Sequence, residues 1–242
     1  MRPEDRILVA LDTPDIARAR TLARALAGRV GGFKIGLEAF VACGPALVDE
    51  IRESGHIVFL DLKFHDIPNT VAGASAAAAR LRVAYLTVHA LGGPAMITRA
   101  VEGCRAGVPA GVDAPVVLAV TILTSHDDDA LQRIGIDGTC AGAVARLAAL
   151  ARDAGAGGVV CSPLEVASAR RAFPGGVLVV PGIRPDTPGS RSPDDQSRVA
   201  RAAAAVAAGA DRIVVGRPIT GAEDPAAAAA AIADDVRRNA GR

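Results

Sequence analysis

The chain has 242 residues, 50% of them hydrophobic and 22% charged, with a formal net charge of +1 at neutral pH. That length suits one large domain or two small ones, the apolar fraction suits a sizeable core, and the charge gives no reason to expect nucleic acid or a membrane as partner. One tyrosine, five phenylalanines and no tryptophan leave the packing to Ala, Val, Leu and Ile.

The chain in order alternates strand-like and helix-like stretches. Arg6 to Asp12 is an apolar run closed by an acid. Thr13-Pro14-Asp15 then supplies an N-cap, a proline at the first helical position and an acidic first turn for a helix to Gly28. Val30 to Gly36 repeats the strand and carries Lys34; one helix with apolar spacing at Phe40, Leu47, Val48 and Ile51 is predicted to reach Ser54. His56 to Lys63 is the third strand, and Pro68 opens an Ala-rich helix to Leu81. Tyr85 to Ala90 is the fourth strand, followed by a helix opened at Gly92-Gly93-Pro94. Val116 to Leu123 is the fifth, ending in Thr124-Ser125, with helical material to Ala154. Gly157 to Cys161, Val177 to Arg184 and Arg212 to Gly216 complete the set.

A crossover helix is what joins parallel neighbours, so this alternation indicates a parallel sheet. Eight such units in a chain of this length indicate a closed (β/α)₈ TIM barrel forming a single domain over residues 1–242. An open doubly wound sheet is the alternative, but no GxGxxG follows the first strand.

Other classes are poorly served. The charged start, Met1 to Arg6, precedes only a short apolar run and does not read as a secretory signal. No stretch reaches the roughly 18 apolar residues of a membrane span. Cys43, Cys104, Cys140 and Cys161 lack CxxC spacing, and His56, His65, His89 and His126 lack a metal-ligand pattern, which argues against a zinc site or a disulfide scaffold. A cytoplasmic protein with reduced cysteines is expected.

The third strand ends in Asp61-Leu62-Lys63-Phe64-His65-Asp66-Ile67-Pro68-Asn69-Thr70. Strand alternation puts Asp61 and Lys63 on the face of Ile57 and Phe59, so a carboxylate and an ammonium lie side by side, with Asp66 in the loop beyond. Only two of the 27 basic residues are lysines, Lys34 and Lys63, each at the end of an apolar run. Arginine keeps its proton whereas a lysine ammonium can give one up, so two lysines surviving among arginines read as chemically required. Active sites of the barrel fold sit at the C-terminal ends of the strands, and Asp12, Lys34, Asp61, Lys63, Thr124, Arg184 and Arg217 all fall there. The Pro-, Gly- and Ser-rich stretch 185–195 follows the seventh strand, where such barrels often bind phosphate together with the loop after the eighth. A lid closing over a phosphate held by the Gly216 N–H and the Arg217 guanidinium is expected.

With Leu11-Asp12, Phe33-Lys34-Ile35-Gly36, Asp61 to Thr70, Val120 to Ser125, Pro181 to Arg184, Gln196 and Val215-Gly216-Arg217, the chain resembles the orotidine 5′-phosphate decarboxylase family over nearly its whole length. The DxKxxD core is shared with sugar-phosphate lyases of the same barrel superfamily, whereas the extension His65 to Thr70 and the terminal Gly-Arg are more specific. The resemblance implies conversion of orotidine 5′-phosphate to UMP, the closing step of UMP synthesis, without metal or organic cofactor. Lys63 would protonate C6 within a charge network of Lys34, Asp61, Lys63 and Asp66. Asp12 and Lys34 would contact the ribose, Thr124 the pyrimidine edge, Gln196 the phosphate side, and Arg184, Gly216 and Arg217 the phosphate. It further implies a homodimer in which Asp66 and Thr70 reach the partner's site. The stretch between Arg184 and Gln196 looks longer than the usual family form and carries an extra Arg191. Two alternatives stand beside this: a metal-dependent phosphosugar lyase of the same superfamily, and a non-catalytic phosphate-binding barrel.

Overall fold

A computed structural model of the chain describes residues 1–184 and 200–239. Eight parallel strands, β1 (Ile7–Ala10), β2 (Gly32–Gly36), β3 (Ile57–Phe64), β4 (Tyr85–His89), β5 (Val116–Val120), β6 (Gly158–Val160), β7 (Val177–Val180) and β8 (Arg212–Val215), pair in sequence order. β1 also pairs with β8 through Leu8 and Val214, which closes the sheet into a barrel and leaves no edge strand.

Alternation along each strand sorts the apolar residues into two cores. Leu8, Ala10, Phe59, Tyr85, Leu118, Val120, Val160, Val179 and Val214 fill the barrel interior. Their neighbours in sequence, such as Ile7, Val9, Leu60, Leu86, Ala119 and Val215, face outward into a larger shell under the helices. Both apolar faces are therefore buried, which is why the strands read as continuous apolar runs. With so few aromatic rings, Phe59 and Tyr85 meet edge to face inside the barrel, centroids 6.0 Å apart. The Tyr85 hydroxyl accepts a bond from Arg212 Nε at 3.2 Å and so keeps its polar end satisfied.

The crossovers are α1 (Ile16–Ala25), α2 (Leu37–Cys43), α3 (Pro45–Glu53), α4 (Pro68–Ala79), α5 (Gly93–Gly107), α6 (Asp128–Arg133), α7 (Cys140–Asp153), α8 (Val166–Ala172), α9 (Ala202–Ala207), α10 (Arg217–Thr220) and α11 (Pro225–Asn239). Two local expectations are corrected. The first helix is capped by Asp15, whose carboxylate accepts the Ala17 and Arg18 N–H groups, so Pro14 stands outside it. Thr13 instead accepts the Asp15 N–H. The single helix predicted to reach Ser54 is two, broken at Gly44 with φ +64°, a conformation that glycine tolerates, before Pro45 restarts the chain. Several strands are also shorter than their apolar runs: β5 stops at Val120 and β7 at Val180, so Thr124 and Arg184 sit on the following loops.

No two of the four cysteines are joined in a disulfide, and all but Cys43 are buried. Burial pushes the Cys104 thiol up to about 11, which makes it an unreactive core residue.

Candidate active site

A cavity of about 470 Å³ opens at the C-terminal mouth of the barrel, within the size range of small-molecule sites. Its floor is the top of the interior core, Phe59, Val120, Val160 and Val214, and its walls carry charge. Of the predicted site residues, Asp12, Lys34, Asp61, Lys63, Thr124, Arg184, Gly216 and Arg217 line this one cavity, although they come from six different strand ends.

The charged wall is a chain of alternating sign. Lys34 Nζ donates to Asp12 Oδ1 at 2.8 Å and lies 3.8 Å from Asp61 Oδ2. The same Asp61 oxygen accepts from Lys63 Nζ at 2.8 Å. Asp61 and Lys34 have side chains only 11% and 12% exposed, whereas Lys63 is 30% exposed and reaches into the opening. Buried charges persist only when paired, and here two cations flank one carboxylate. The expectation that Asp61 and Lys63 share the inward face of Ile57 and Phe59 holds, with a local device that alternation does not foretell. The pairing of β3 with β4 shifts register between Leu60 and Phe64, and Lys63 adopts the left-handed φ of +51°. That bulge aims the ammonium at the cavity.

Two residues support this cluster from outside the cavity lining without having been assigned a role from sequence. Thr87, fully buried on β4, donates its hydroxyl to Asp61 Oδ1 at 3.0 Å and accepts the Lys63 N–H at 2.9 Å. Its signal in the sequence is a small hydroxyl residue on the inward face of β4, between Tyr85 and His89. Gly36 is the other: a Cβ there would come within 2.7 Å of Lys34 Nζ and 3.2 Å of Asp12 Oδ1. A bare backbone at that point lets the lysine fold over to its partner.

Asp66 and Thr70 are elsewhere. Both are exposed and neither lines the cavity; Asp66 Oδ1 accepts the N–H of the adjacent Ile67 at 2.6 Å. On the segments that follow β2, β3 and β4, large apolar side chains are exposed: Leu37, Val41, Ile67 and Leu91. On the opposite lip, Arg184 and Arg217 place two guanidinium groups at one end of the cavity. A Cβ at Gly216 would meet only the Ala10 methyl at 3.7 Å, so the protein itself does not demand glycine there. Gln196 and the expected lid lie outside the described residues. Beside Lys63, the rings of His65 and His89 stack with centroids 5.4 Å apart. Burial, followed by the fields of His65, Lys63 and His126, lowers the His89 imidazole to about 4.

A closed barrel with an acid–base cluster and a guanidinium pair at its C-terminal mouth defines an enzyme-type (β/α)₈ barrel. The chain belongs to the Orotidine 5′-phosphate decarboxylase / HUMPS family, whose model matches residues 5–232. It is 55% identical over 234 residues to an orotidine 5′-phosphate decarboxylase of Anaeromyxobacter sp. (strain K), covering 96% of this chain and 99% of that one. A protein of the same name from Halorhodospira halophila is 52% identical over 232 residues, 96% of this chain and 95% of its own. Among solved structures, the orotidine 5′-phosphate decarboxylase of Lactobacillus acidophilus superposes with a TM-score of 0.83 at 39% identity, covering 95% of this chain and 98% of that one.

Proposed function

We propose that this chain decarboxylates orotidine 5′-phosphate to UMP in pyrimidine biosynthesis, with the chemistry carried by the Asp12–Lys34–Asp61–Lys63 chain of charges. The observation that supports it most directly is Lys63: an ammonium held at 2.8 Å by Asp61, aimed by a backbone bulge into a cavity with two guanidinium groups at its far lip. The C6–carboxylate bond breaks heterolytically, carbon dioxide leaves, and the electron pair stays on C6. Lys63 stabilises that charge and gives its proton to C6, and water at the open side of the cavity reprotonates the amine. Asp61 would lie beside the substrate carboxylate and disfavour the ground state. Two unit charges at 4 Å interact by about 4 kcal/mol at an effective dielectric of 20. Enzymes lower barriers by roughly 8 to 23 kcal/mol, so binding of the remote phosphate by Arg184, Gly216, Arg217 and Gln196 has to contribute through positioning. Asp12 and Lys34 hold the ribose in this reading, and Thr124 the pyrimidine edge.

The working unit in the same proposal is a homodimer. Asp66, assigned to the catalytic set, and Thr70, assigned to substrate binding, do not line their own cavity, and the exposed Leu37, Val41, Ile67 and Leu91, on the segments that follow β2, β3 and β4, would be the apolar side chains that a second copy covers. A cytoplasmic location fits four cysteines of which no two are joined in a disulfide, as a reducing compartment favours; no helix among the described residues is long and apolar enough to cross a membrane.

Loss of orotidylate absorbance on adding purified protein tests the activity, with EDTA present to separate it from a metal-dependent lyase. Turnover is expected to persist in EDTA. Arg217→Ala is expected to lower kcat/KM by about 10- to 100-fold, the size of a lost charge-assisted hydrogen bond. No turnover by the wild-type protein would overturn the reading, and unchanged kcat/KM in Arg217→Ala would remove the phosphate assignment.

A further inference from the structure

Lys63 and Asp61 are held by a residue of the neighbouring strand, and the geometry points to Thr87 as the positioning residue of the proton donor. The inference rests on the decarboxylase reading for its kinetic consequence, and on the geometry alone for the rest. Thr87 has one hydroxyl proton and lone pairs to accept with. The Lys63 N–H, at 2.9 Å, takes an accepting position, and an ionised Asp61 can only accept, so the Thr87 proton must point to Asp61 Oδ1 at 3.0 Å. The other Asp61 oxygen accepts from Lys63 Nζ at 2.8 Å. A closed ring results: Lys63 N–H to Thr87, Thr87 O–H to Asp61, and Asp61 back to the Lys63 ammonium. Both ends of the lysine are tied through one hydroxyl that is itself wholly buried.

The ring answers a problem set by the bulge. With φ at +51°, Lys63 occupies the left-handed region that is unfavourable for a non-glycine residue, and the register shift between Leu60 and Phe64 takes its stretch out of the regular ladder. The Thr87 oxygen supplies the acceptor that the Lys63 N–H would otherwise find on the strand, so the strained backbone and the oriented carboxylate are held by the same atom. Removing the hydroxyl lets Asp61 rotate about its own side chain and lets the Lys63 backbone relax. The ammonium then points into the cavity in a spread of directions. Thr87 lines no part of the cavity, so contact with the bound nucleotide is not what it contributes.

Thr87→Val keeps the shape and removes both hydrogen-bonding roles; Thr87→Ser keeps the hydroxyl and removes the methyl. The expected result is a fall in kcat of about 10- to 100-fold in Thr87→Val, in line with loss of hydrogen bonding to a charged group, and a UMP dissociation constant within about 2-fold of wild type. Thr87→Ser should retain most of the turnover. Because the chain has only two lysines, selective ¹⁵N-lysine labelling yields amide signals from Lys34 and Lys63 alone. One of the two should shift and lose exchange protection in Thr87→Val while the other stays in place. Should Thr87→Val not fold, Thr87→Ala is held to the same outcomes. Wild-type kcat in Thr87→Val, or loss of turnover and UMP binding together in the Val and Ser variants alike, would overturn the positioning role. If the wild-type protein does not decarboxylate orotidylate, the activity fails on its own, and unmoved lysine amides remain the result that would sink the geometric claim.

Discussion

His89 shows how one side chain at the mouth of the barrel ties stability to pH. Its ring stacks on His65, and its Nδ1 accepts the Leu91 N–H at 3.5 Å, which only a neutral imidazole can do. With the folded value lowered from 6.5 to about 4, the unfolded chain binds more protons than the folded one throughout that window. The stabilising contribution is complete above the unfolded value and is lost as pH falls from 6.5 towards 4. His89→Asn keeps an acceptor for Leu91 and cannot titrate. Urea midpoints of wild type and variant should therefore diverge between about pH 7 and about pH 5, the wild type losing more. Parallel losses would assign the acid sensitivity to other groups.

At the scale of elements, the two helices after β3 and β4 pack more closely than side chains of ordinary size allow. A Cβ on Gly103 of α5 would lie 2.3 Å from the Ala72 carbonyl oxygen of α4, and one on Gly107 would lie 2.4 Å from that of Ala76. The alanine run of α4 is the other half of this contact: with small residues on both sides the backbones themselves approach. Gly103→Ala improves helix propensity by about 1 kcal/mol but forces backbone apart, an overpacking cost of about 1 to 3 kcal/mol. The cost is expected to win, because carbonyl oxygens cannot rotate away as a flexible side chain could. A melting temperature lower than wild type by several degrees, at about 2 to 4 °C per kcal/mol for a chain of this size, is the expected outcome. An unchanged or higher melting temperature would mean that the helices slide apart freely. Since α4 and α5 follow directly from the Asp61–Lys63 strand and the Thr87 strand, such a shift should also lower turnover.

For the whole molecule, the proposed dimer makes a prediction that a single-chain site cannot share. Lys63→Ala and Asp66→Asn should each be nearly inactive, yet a mixture allowed to exchange subunits should recover activity. A mixed dimer would contain one site with Lys63 from one copy and Asp66 from the other both intact. Measuring turnover against the time of mixing, with exchange followed independently, distinguishes the cases. Exchange without recovery would place Asp66 in the site of its own chain.

Much of this was legible from the chain alone because it is local. An apolar run and its polar terminus are adjacent in sequence, so all eight strands and the acids, lysines and arginines beyond them could be located before any fold was known, and Pro68 opens α4 as its residue type requires. The predicted runs overshot β5 and β7 because apolar residues past the strand ends, Ile122 and Ile183, are buried as well, and burial carries no mark of hydrogen bonding. Tertiary structure alone decided which inward residues of different strands meet. Thr87 is 26 residues from Asp61, Gly36 matters only because Lys34 folds back over it, and Asp66 and Thr70 leave the cavity although they lie within the same motif as Lys63. The reason is physical. Alternation states which way each side chain points along its own strand, but the neighbours it finds depend on the register and tilt with which eight strands close, and that is fixed only when every layer of the interior is packed at once.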